Sequence, residues 1–463
     1  MFASLHLIWF RGKDMAKGWI KRWGARGKGH RPSHIPALDV QPTSLCDVSW
    51  NLPPSKSHLI RMLHLCALSK KKHTLSGFSQ LGEDAESMRR CLSQLGVEFT
   101  SHKDGIEIIG KGIDGLQRSP SVLHAGNSGT ALRFLIGLAS RLNFVSMVDG
   151  DASLRNRNHS NLLNALSPLG VQLSYGIEQE RLPVLVHGPW NGMKPTVDVS
   201  GSSQPYSSLL LASSDLDEPC VINTQGNAVS RRHSALTIEL MQRCGASLEI
   251  VDDCTTIAPW TSNPPEEWVV PSDGSMMAFP ILACIITKQS IHINNPVDSS
   301  DALGHEILLE HLNAFGIKYE DCTLTYEGDS SLVEIDLRDA NDLLPPLAAI
   351  LALSGGGTLK GAEHAKHKES NRIESTKALL ESFGLSSSIR DDGLSIEGGQ
   401  TPTKPESLVE TFGDHRIQMT AVLLASKTGG TVEGPRLHRI ADPEFLHRLS
   451  AMPTEVLVKG IQR

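Results

Sequence analysis

The stretch HAGNSGTALRFLIGLA at residues 124–139 sets the pattern by which the rest of the chain can be interpreted. Small and polar residues up to Thr130 lead into an apolar run, which predicts a loop followed by a buried helix with free backbone N–H groups at its first turn. Gly126 and Gly129 lack the Cβ atoms that would keep a ligand away from the backbone, and Arg133 adds a guanidinium one turn later. The stretch is therefore a candidate anion site, although ordinary helix N-caps use the same residue types.

Five other segments repeat this arrangement of a polar start and an apolar helix. Rich in Ala, Leu and Ile on most faces, the six segments predict inner helices buried all round. Their predicted bounds are Ser57–Leu68, Gly129–Ser140, Gln204–Ser213, Ser275–Thr287, Leu343–Ser354 and His415–Ser426. If like units pack alike, the six electropositive helix starts meet in one cleft, and the field there favours a ligand with several negative charges.

A second, more polar helix follows each inner helix and ends in glycine. The glycines at 96, 170, 245, 316 and 384 stand where the residue after a helix takes a positive φ, and a strand-like stretch follows each of them. The predicted outer helices are Met88–Leu95, Leu162–Leu169, Leu236–Cys244, Ile307–Phe315, Thr376–Phe383 and a shorter Phe445–Met452, which a strand at Thr454–Val458 follows. The regular spacing of these glycines and helices predicts one structural unit that is repeated six times along the chain.

Composition places the chain among soluble globular proteins. It has 463 residues, of which 40% are hydrophobic and 21% charged, enough for two or three domains. Its longest apolar runs, such as Phe279–Ile286, are too short to span a membrane. Eight cysteines occur singly without a Cys-x-x-Cys pair, which predicts a reducing, cytoplasmic location and argues against structural zinc.

Charge is distributed unevenly along the chain. The formal net charge is −7, yet residues 1–34 carry eight basic side chains against one acidic residue, Asp14. This basic leader lacks core periodicity and is predicted to lie outside the fold. A disordered arm, a targeting segment and an upstream start that is not used, with Met15 as the internal one, are all open interpretations.

Cationic residues gather at or near the predicted helix starts and outnumber the acidic ones. The candidates are Lys56, Arg61, Arg133, Arg157, Lys368, Arg372 and Arg416 against Asp342 and Glu369. This excess predicts a substrate with several phosphate or carboxylate groups, and two carboxylates are enough for acid–base chemistry. Asp342 should stay ionised among so many cations. His364, His367 and His415 have no carboxylate or thiolate at ligand spacing, so we predict no metal site.

Five motifs together resemble the 5-enolpyruvylshikimate-3-phosphate synthase family. They are SKSxxxR at 55–61, NSGTALR at 127–133, SSQ at 202–204, KESxR at 368–372 and DHR at 414–416, in the order and spacing of the family. The resemblance runs from about residue 45 to the end. It implies an α/β (α+β) enolpyruvyl transferase fold, in which each of two domains contains three βαβαββ units with buried helices. The expected boundaries are 35–54 plus 271–463 for domain 1 and 55–270 for domain 2.

The resemblance also implies an activity and a set of site residues. The family transfers the enolpyruvyl group of phosphoenolpyruvate to the 5-hydroxyl of shikimate 3-phosphate without a cofactor or metal, and we expect a monomer that binds neither membrane nor nucleic acid. Shikimate 3-phosphate would be bound by Lys56, Ser57, Arg61, Ser202, Ser203, Gln204, Ser230, Asp342 and Lys368. Phosphoenolpyruvate would be bound by Lys56, Asn127, Gly129, Arg157, Gln204, Arg372 and Arg416. The catalytic residues would be Asp342, Glu369 and Lys56. Gly129 is the residue found in glyphosate-sensitive members.

Two positions depart from the family pattern. Asn371 stands where an Asp is usual, which could loosen Arg372, and Ile440 stands where a lysine is often found, with Arg439 beside it. These departures leave open an inactive homologue. The sister transferase acting on UDP-N-acetylglucosamine is a second alternative, but its catalytic loop usually carries a Cys and residues 149–158 have none. A nucleic-acid-binding module is a third, which the acidic body of the chain disfavours.

Overall fold

The repeated unit predicted from the sequence is present in the computed structural model, which describes residues 36–42, 48–176, 178–192, 194–297, 303–451 and 456–457. The basic leader lies outside the described residues. The α-helices are α1 Lys56–Leu68, α2 Glu83–Gln94, α3 Gly112–Gly115, α4 Gly129–Ala139, α5 Ala152–Asn156, α6 Ser160–Leu166, α7 Gln204–Ala212, α8 Arg231–Arg243, α9 Ala278–Thr287, α10 His305–Glu310, α11 Leu344–Leu353, α12 Arg372–Ser382, α13 His415–Thr428 and α14 Phe445–Ala451. Short 3₁₀ helices cover Ser167–Leu169, Gly274–Met277, Asn313–Phe315, Asn341–Leu343, Glu363–His367 and Leu437–Ile440.

The inner helices, α1, α4, α7, α9, α11 and α13, match the predicted segments closely. Burial continues along whole helices: every residue of α11 from Leu344 to Ala352 is buried. The fourth and fifth differ from expectation because each begins with a 3₁₀ turn, Gly274–Met277 and Asn341–Leu343, before the α-helix proper. The outer helices α2 and α8 begin five residues before the predicted starts at Met88 and Leu236, because their polar first turns carry no apolar periodicity.

The strands of the described residues form six small sheets. Their bounds are β1 Ala37–Val40, β2 Val48–Trp50, β3 Lys72–Ser76, β4 Glu98–His102, β5 Gly105–Ile109, β6 Leu123–His124, β7 Ser146–Asp149, β8 Gln172–Tyr175, β9 Val184–His187, β10 Thr196–Asp198, β11 Cys220–Gln225, β12 Leu248–Val251, β13 Cys254–Ile257, β14 Glu267–Val269, β15 Ile291–Ile293, β16 Ile317–Glu320, β17 Thr323–Tyr326, β18 Val333–Asp336, β19 Gly357–Lys360, β20 Ser387–Arg390, β21 Gly393–Ile396, β22 Gly430–Glu433 and β23 Val456–Leu457.

Five of these sheets share one topology, which is the structural form of the sequence repeat. The order β18-β19-β21-β20 is typical: β18 and β19 are parallel, with Val333 opposite Gly357, and the other two pairs are antiparallel. The same pattern occurs in β6-β7-β9-β8, β10-β11-β13-β12, β14-β3-β5-β4 and β2-β15-β17-β16. A parallel pair needs a crossover, and in the three units that are continuous in the chain the inner helix provides it. The sixth sheet, β22-β1-β23, is antiparallel throughout.

Two hydrophobic cores divide the molecule into lobes. The first lobe is built around core residues between 59 and 270, and the second around those at 38–52 and 276–449. The chain crosses between the lobes twice, and the two crossings are hydrogen-bonded to each other: Ser55 N donates to Pro271 O (2.8 Å) and Asp273 N to Pro53 O (2.8 Å). Strands β14 and β2 adjoin these crossings and complete the sheets of units that begin elsewhere in the chain.

The glycines that end the outer helices have the predicted backbone conformation. Gly96, Gly170, Gly245, Gly316 and Gly384 all have φ between 69° and 100°. A residue with a Cβ is sterically disfavoured in this conformation. Glycine therefore recurs at the same position of each unit and makes the repeat easy to recognise in the sequence.

Candidate active site

The six inner-helix starts line a single cavity of about 1410 Å³ between the two lobes. The first lobe contributes the starts of α1, α4 and α7, and the second lobe contributes the 3₁₀ turns that lead into α9 and α11 and the start of α13. Lys56, Gly129, Gln204, Ser275, Asp342 and Arg416 represent the six in this order. The prediction that these electropositive ends converge on one cleft is confirmed.

Most of the residues predicted to bind substrates or to act in catalysis also line this cavity. They are Lys56, Ser57, Arg61, Gly129, Arg157, Ser202, Ser203, Gln204, Ser230, Asp342, Lys368, Glu369, Arg372 and Arg416. Arg133 lines it too, and donates to Gln204 Oε1 (2.6 Å). The set spans residues 56 to 416, so only the packing of the two lobes brings it together.

Asn127 is absent from the cavity lining. Its Nδ2 donates to Asp151 Oδ2 (2.7 Å), and Asp151 in turn accepts from the backbone N–H of Leu154 at the start of α5. Asn127 therefore stabilises the short helix that precedes Arg157. The motif had suggested that Asn127 contacts the ligand directly. The structure differs because a sequence pattern does not reveal which way a loop side chain points.

Arg372 is held by three carboxylates and is only 1% exposed. Its Nε donates to Asp414 Oδ2 (2.8 Å), its Nη2 to Glu369 Oε2 (2.7 Å) and its Nη1 to Asp342. Bonds of this charge-assisted kind orient a guanidinium strongly. Asn371 therefore does not leave Arg372 loose, contrary to the concern raised by the sequence.

Asp342 and Glu369 are the two cavity carboxylates predicted to be catalytic, and both are ionised. Burial raises the pKa of each carboxyl, but nearby cations outweigh burial: Arg372 and Arg416 hold the pKa of Asp342 well below its ordinary value, and Arg372 and Arg157 do the same for Glu369. Arg157 Nη2 reaches Glu369 Oε1 at 3.5 Å from the opposite lobe.

Lys56 is paired with Asp84, a residue that the sequence analysis missed. Lys56 Nζ lies 3.0 Å from Asp84 Oδ2, and the Asp84 side chain is 9% exposed. Burial lowers the pKa of the Lys56 ammonium, but the negative charges of Asp84 and Asp342 raise it by a larger amount. The pKa of Lys56 therefore lies above its ordinary value. Asp84 lies in the first turn of α2, where acidic residues are common because they interact favourably with the helix dipole. The sequence therefore provided no reason to single out Asp84 as the partner of Lys56.

Several cations of the cavity, among them Arg61 and Lys368, have no acidic partner within the described residues. Arg61 donates to Thr237 Oγ1 (2.7 Å), Ser57 O (2.8 Å) and His233 O (2.9 Å). Within the described residues no carboxylate lies within salt-bridge distance of Arg61 or Lys368. Burial lowers the pKa of Arg61 to about 9 and is the largest cause that lowers the pKa of Lys368 to about 8. Buried cations without counter-charge are suited to an anionic ligand.

Further polar residues in or beside the cavity were given no site role from the sequence. Asp414 accepts from the backbone N–H of Arg416 (2.9 Å), and Ser275 Oγ accepts from Arg416 Nη2 (2.8 Å). Burial is the main cause that lowers the pKa of His233 to about 3 and that of His415 well below its ordinary value, so both rings are neutral. His415 and Asp414 stand inside the DHR motif, which could have signalled them.

Arg439 does not take part in the cavity. Its side chain is 46% exposed and its Nε lies 3.9 Å from Glu83 Oε1 at the start of α2, whereas Ile440 is buried. The Arg439 side chain points toward α2 and is absent from the cavity lining of this structure.

Neither a metal cluster nor a membrane span is found in the part of the chain that the structure describes. No three His, Cys, Asp or Glu side chains there are arranged to hold a metal ion. None of the helices described is long and apolar enough to cross a bilayer.

Comparisons with known proteins agree with this geometry. The family model described as EPSP synthase (3-phosphoshikimate 1-carboxyvinyltransferase) matches residues 41–449. The chain is 30% identical over 413 residues to the 3-phosphoshikimate 1-carboxyvinyltransferase of Methanocorpusculum labreanum, covering 87% of this chain and 96% of the relative. It is 29% identical over 415 residues to the enzyme of the same name from Methanococcoides burtonii, covering 88% and 96%.

Solved structures show the same fold. An EPSP synthase from Acinetobacter baumannii superposes with a TM-score of 0.74 at 23% identity, covering 90% of this chain and 98% of that one. The enolpyruvyl transferase NikO from Streptomyces tendae gives 0.70 at 14% identity, covering 91% and 98%. The two-lobed architecture is thus shared at low sequence identity.

Proposed function

The chain belongs to the EPSP synthase family, the 3-phosphoshikimate 1-carboxyvinyltransferases, and we propose that its cavity transfers the enolpyruvyl group of phosphoenolpyruvate to the 5-hydroxyl of shikimate 3-phosphate, releasing phosphate. The product, 5-enolpyruvylshikimate 3-phosphate, lies on the shikimate pathway to chorismate and the aromatic amino acids. The observation that carries the proposal is the convergence of six helix starts and an excess of cations on one interlobe cavity. Two substrates with phosphate and carboxylate groups suit that field.

The acceptor end of the cavity is proposed to hold shikimate 3-phosphate. Arg61 and Lys368 have no carboxylate partner among the described residues, so a phosphate would supply the missing counter-charge. Ser202 and Ser203 stand at the start of α7, and Ser230 at the start of α8, where hydroxyls can bind phosphate oxygens or ring hydroxyls. Ser57 and Gln204 complete this proposed set.

The donor end is proposed to hold phosphoenolpyruvate between the lobes. Arg372 and Arg416 of the second lobe would bind its carboxylate, and Arg157, Gly129 and Lys56 of the first lobe its phosphate. At Gly129 an added Cβ would lie 3.0 Å from Arg133 Nη1 and 3.3 Å from Arg157 Nη1. The bare backbone there leaves room for a ligand between these guanidinium groups. Gln204 would reach both substrates.

The proposed chemistry needs positioned charges and proton transfer. Asp342 would accept the proton of the 5-hydroxyl as its oxygen attacks C2 of phosphoenolpyruvate, while C3 gains a proton; loss of a C3 proton then expels phosphate. Bound substrate anions would partly neutralise Arg372 and Arg416, and the pKa of Asp342 would rise toward a useful range. Glu369 and Lys56 are the proposed partners for the C3 protons and the leaving phosphate. Fixed cations stabilise the charge that develops.

A phosphate-release assay tests the proposal. Purified protein with phosphoenolpyruvate is expected to release phosphate when shikimate 3-phosphate is added, and not when UDP-N-acetylglucosamine replaces it. Release with the nucleotide sugar alone would instead support the sister transferase. No release with either acceptor would support the inactive homologue and overturn the proposal.

Quaternary state and location belong to the same proposal. We propose a monomer that works without metal or organic cofactor in the cytoplasm; the seven cysteines in the described residues are all free, as a reducing compartment would keep them. A mass of about 50.2 kDa by light scattering is expected, and undiminished activity after chelation.

A further inference from the structure

The two lobes meet beside the acceptor end of the cavity through Asp339 and Arg231. Arg231 Nη2 lies 2.6 Å from Asp339 Oδ2, and its Nε donates to the same oxygen at 3.0 Å. The Asp339 side chain is 15% exposed, while that of Arg231 is 65% exposed. Burial raises the pKa of Asp339, but the hydrogen bonds and charge of Arg231 lower it by a larger amount. The pKa therefore lies below its ordinary value, and the carboxylate is ionised.

This contact is more than a surface ion pair, because Asp339 also caps a helix of the other lobe. The backbone N–H of Arg231, the first residue of α8, donates to Asp339 Oδ1 (2.8 Å). Ser230, the residue before α8, makes no side-chain cap of its own. The free N–H at this helix start is thus satisfied from the second lobe.

Ser230 itself is held in a strained conformation by the same segment. Its φ is 53° and ψ 40°, the left-handed region that residues with a Cβ rarely adopt. Its N–H donates to Arg338 O (3.0 Å), and Asn341 Nδ2 donates to its Oγ (3.3 Å). Such strain persists only where the surroundings over-determine it, and here the opposite lobe supplies these surroundings.

We propose that Asp339 is a positioning residue for the acceptor substrate: by capping α8 across the lobe boundary, it fixes Ser230 where its hydroxyl contacts shikimate 3-phosphate. The inference rests on the proposed function. Neither the motifs nor the family resemblance assigned a role to Asp339 or Arg231.

Three variants and one control test this inference. Asp339→Ala removes both the ion pair and the cap, Asp339→Asn keeps an oxygen for the Arg231 N–H but loses the charge, and Arg231→Gln keeps the backbone cap but loses the ion pair. Glu239→Gln is the matched control, since it removes the exposed Glu239–Arg243 ion pair within α8.

The expected result is a graded and substrate-selective effect. Asp339→Ala should raise KM for shikimate 3-phosphate about tenfold, because Ser230 is displaced and its hydrogen bond to the substrate is lost, and should weaken binding in calorimetry by the same factor. The other two variants should show smaller rises, and KM for phosphoenolpyruvate and kcat should change little. The control should match the parent.

Two outcomes would overturn the inference. One is an unchanged KM and affinity for shikimate 3-phosphate in a folded Asp339→Ala protein. The other is an equal rise in KM for both substrates, which would indicate a general loosening of the lobes. A parent protein without activity or affinity for shikimate 3-phosphate would refute the proposed function instead, so the two failures are distinguishable.

Discussion

Arg372 Nε lies 2.8 Å from Asp414 Oδ2, and the two side chains are 1% and 0% exposed. Asp414 also accepts from the backbone N–H of Arg416 and from Ser370 Oγ (3.2 Å). One buried carboxylate therefore holds the guanidinium of Arg372 and the backbone of Arg416, the two arginines that we propose for the carboxylate of phosphoenolpyruvate.

Replacing Asp414 should damage stability as well as substrate binding. Asp414→Ala leaves the buried Arg372 short of one partner and removes the cap of α13, so we expect a loss of about 3–5 kcal/mol in the free energy of unfolding. Urea denaturation measures it. As a control, Glu381→Gln, which breaks an exposed pair with Lys377, should cost less than about 1 kcal/mol. Equal stability of the two variants would contradict a structural role for Asp414.

Removing the carboxylate of Asp342 should separate turnover from binding. Asp342→Ala lacks the proposed proton acceptor, so kcat should fall by about 10²–10⁴-fold. Affinity for phosphoenolpyruvate should persist or improve, because Arg372 and Arg416 lose a competing anion. Stopped-time phosphate release and calorimetry give the two quantities. Near-normal turnover would remove Asp342 from its proposed role.

The pH dependence of acceptor use should report on Lys368. The pKa of this ammonium is lowered to about 8, so the side chain is charged below that pH and neutral above it. Because an anionic acceptor needs the charged form, kcat/KM for shikimate 3-phosphate should fall as pH rises through about 8. In Lys368→Arg the guanidinium stays protonated, and the fall attributable to residue 368 should disappear. A parent profile flat to pH 9.5 would disagree.

Glyphosate should inhibit competitively with respect to phosphoenolpyruvate. It carries a phosphonate and a carboxylate, the charges that the proposed donor site accommodates, and Gly129 leaves the space open. In Gly129→Ala the new Cβ would lie within 3.0–3.4 Å of Arg133, Arg157 and Gln204, so both the inhibition constant and KM for phosphoenolpyruvate should rise. Full parental activity in millimolar glyphosate at subsaturating phosphoenolpyruvate would contradict the prediction.

The sequence was informative wherever the determinant is local. Apolar runs located the six inner helices within a few residues, and the glycines at 96, 170, 245, 316 and 384 marked helix ends through their positive φ. The polar residues at each helix start then predicted a common site for an anionic ligand. Both inferences need only near neighbours in the chain, because helix periodicity and terminal glycines act over a few residues.

The ion pairs and hydrogen bonds inside the site could not be predicted from the sequence in this way. Lys56 with Asp84, and Arg372 with Asp414, join residues 28 and 42 positions apart, and Asp339 caps a helix that begins 108 residues earlier. Asn127 belongs to a substrate motif yet points to Asp151. Each of these contacts depends on how loops and lobes pack.

By itself, then, the sequence determined the repeated unit, the buried helices and the cationic character of the cleft. Only the tertiary structure decided which carboxylate neutralises which cation, that Arg439 lies outside the cavity, and that Ser230 is held from the opposite lobe. The reason is physical: helix and turn preferences are short-range, whereas ion pairing and capping across lobes depend on distances that two separate cores establish when they pack together.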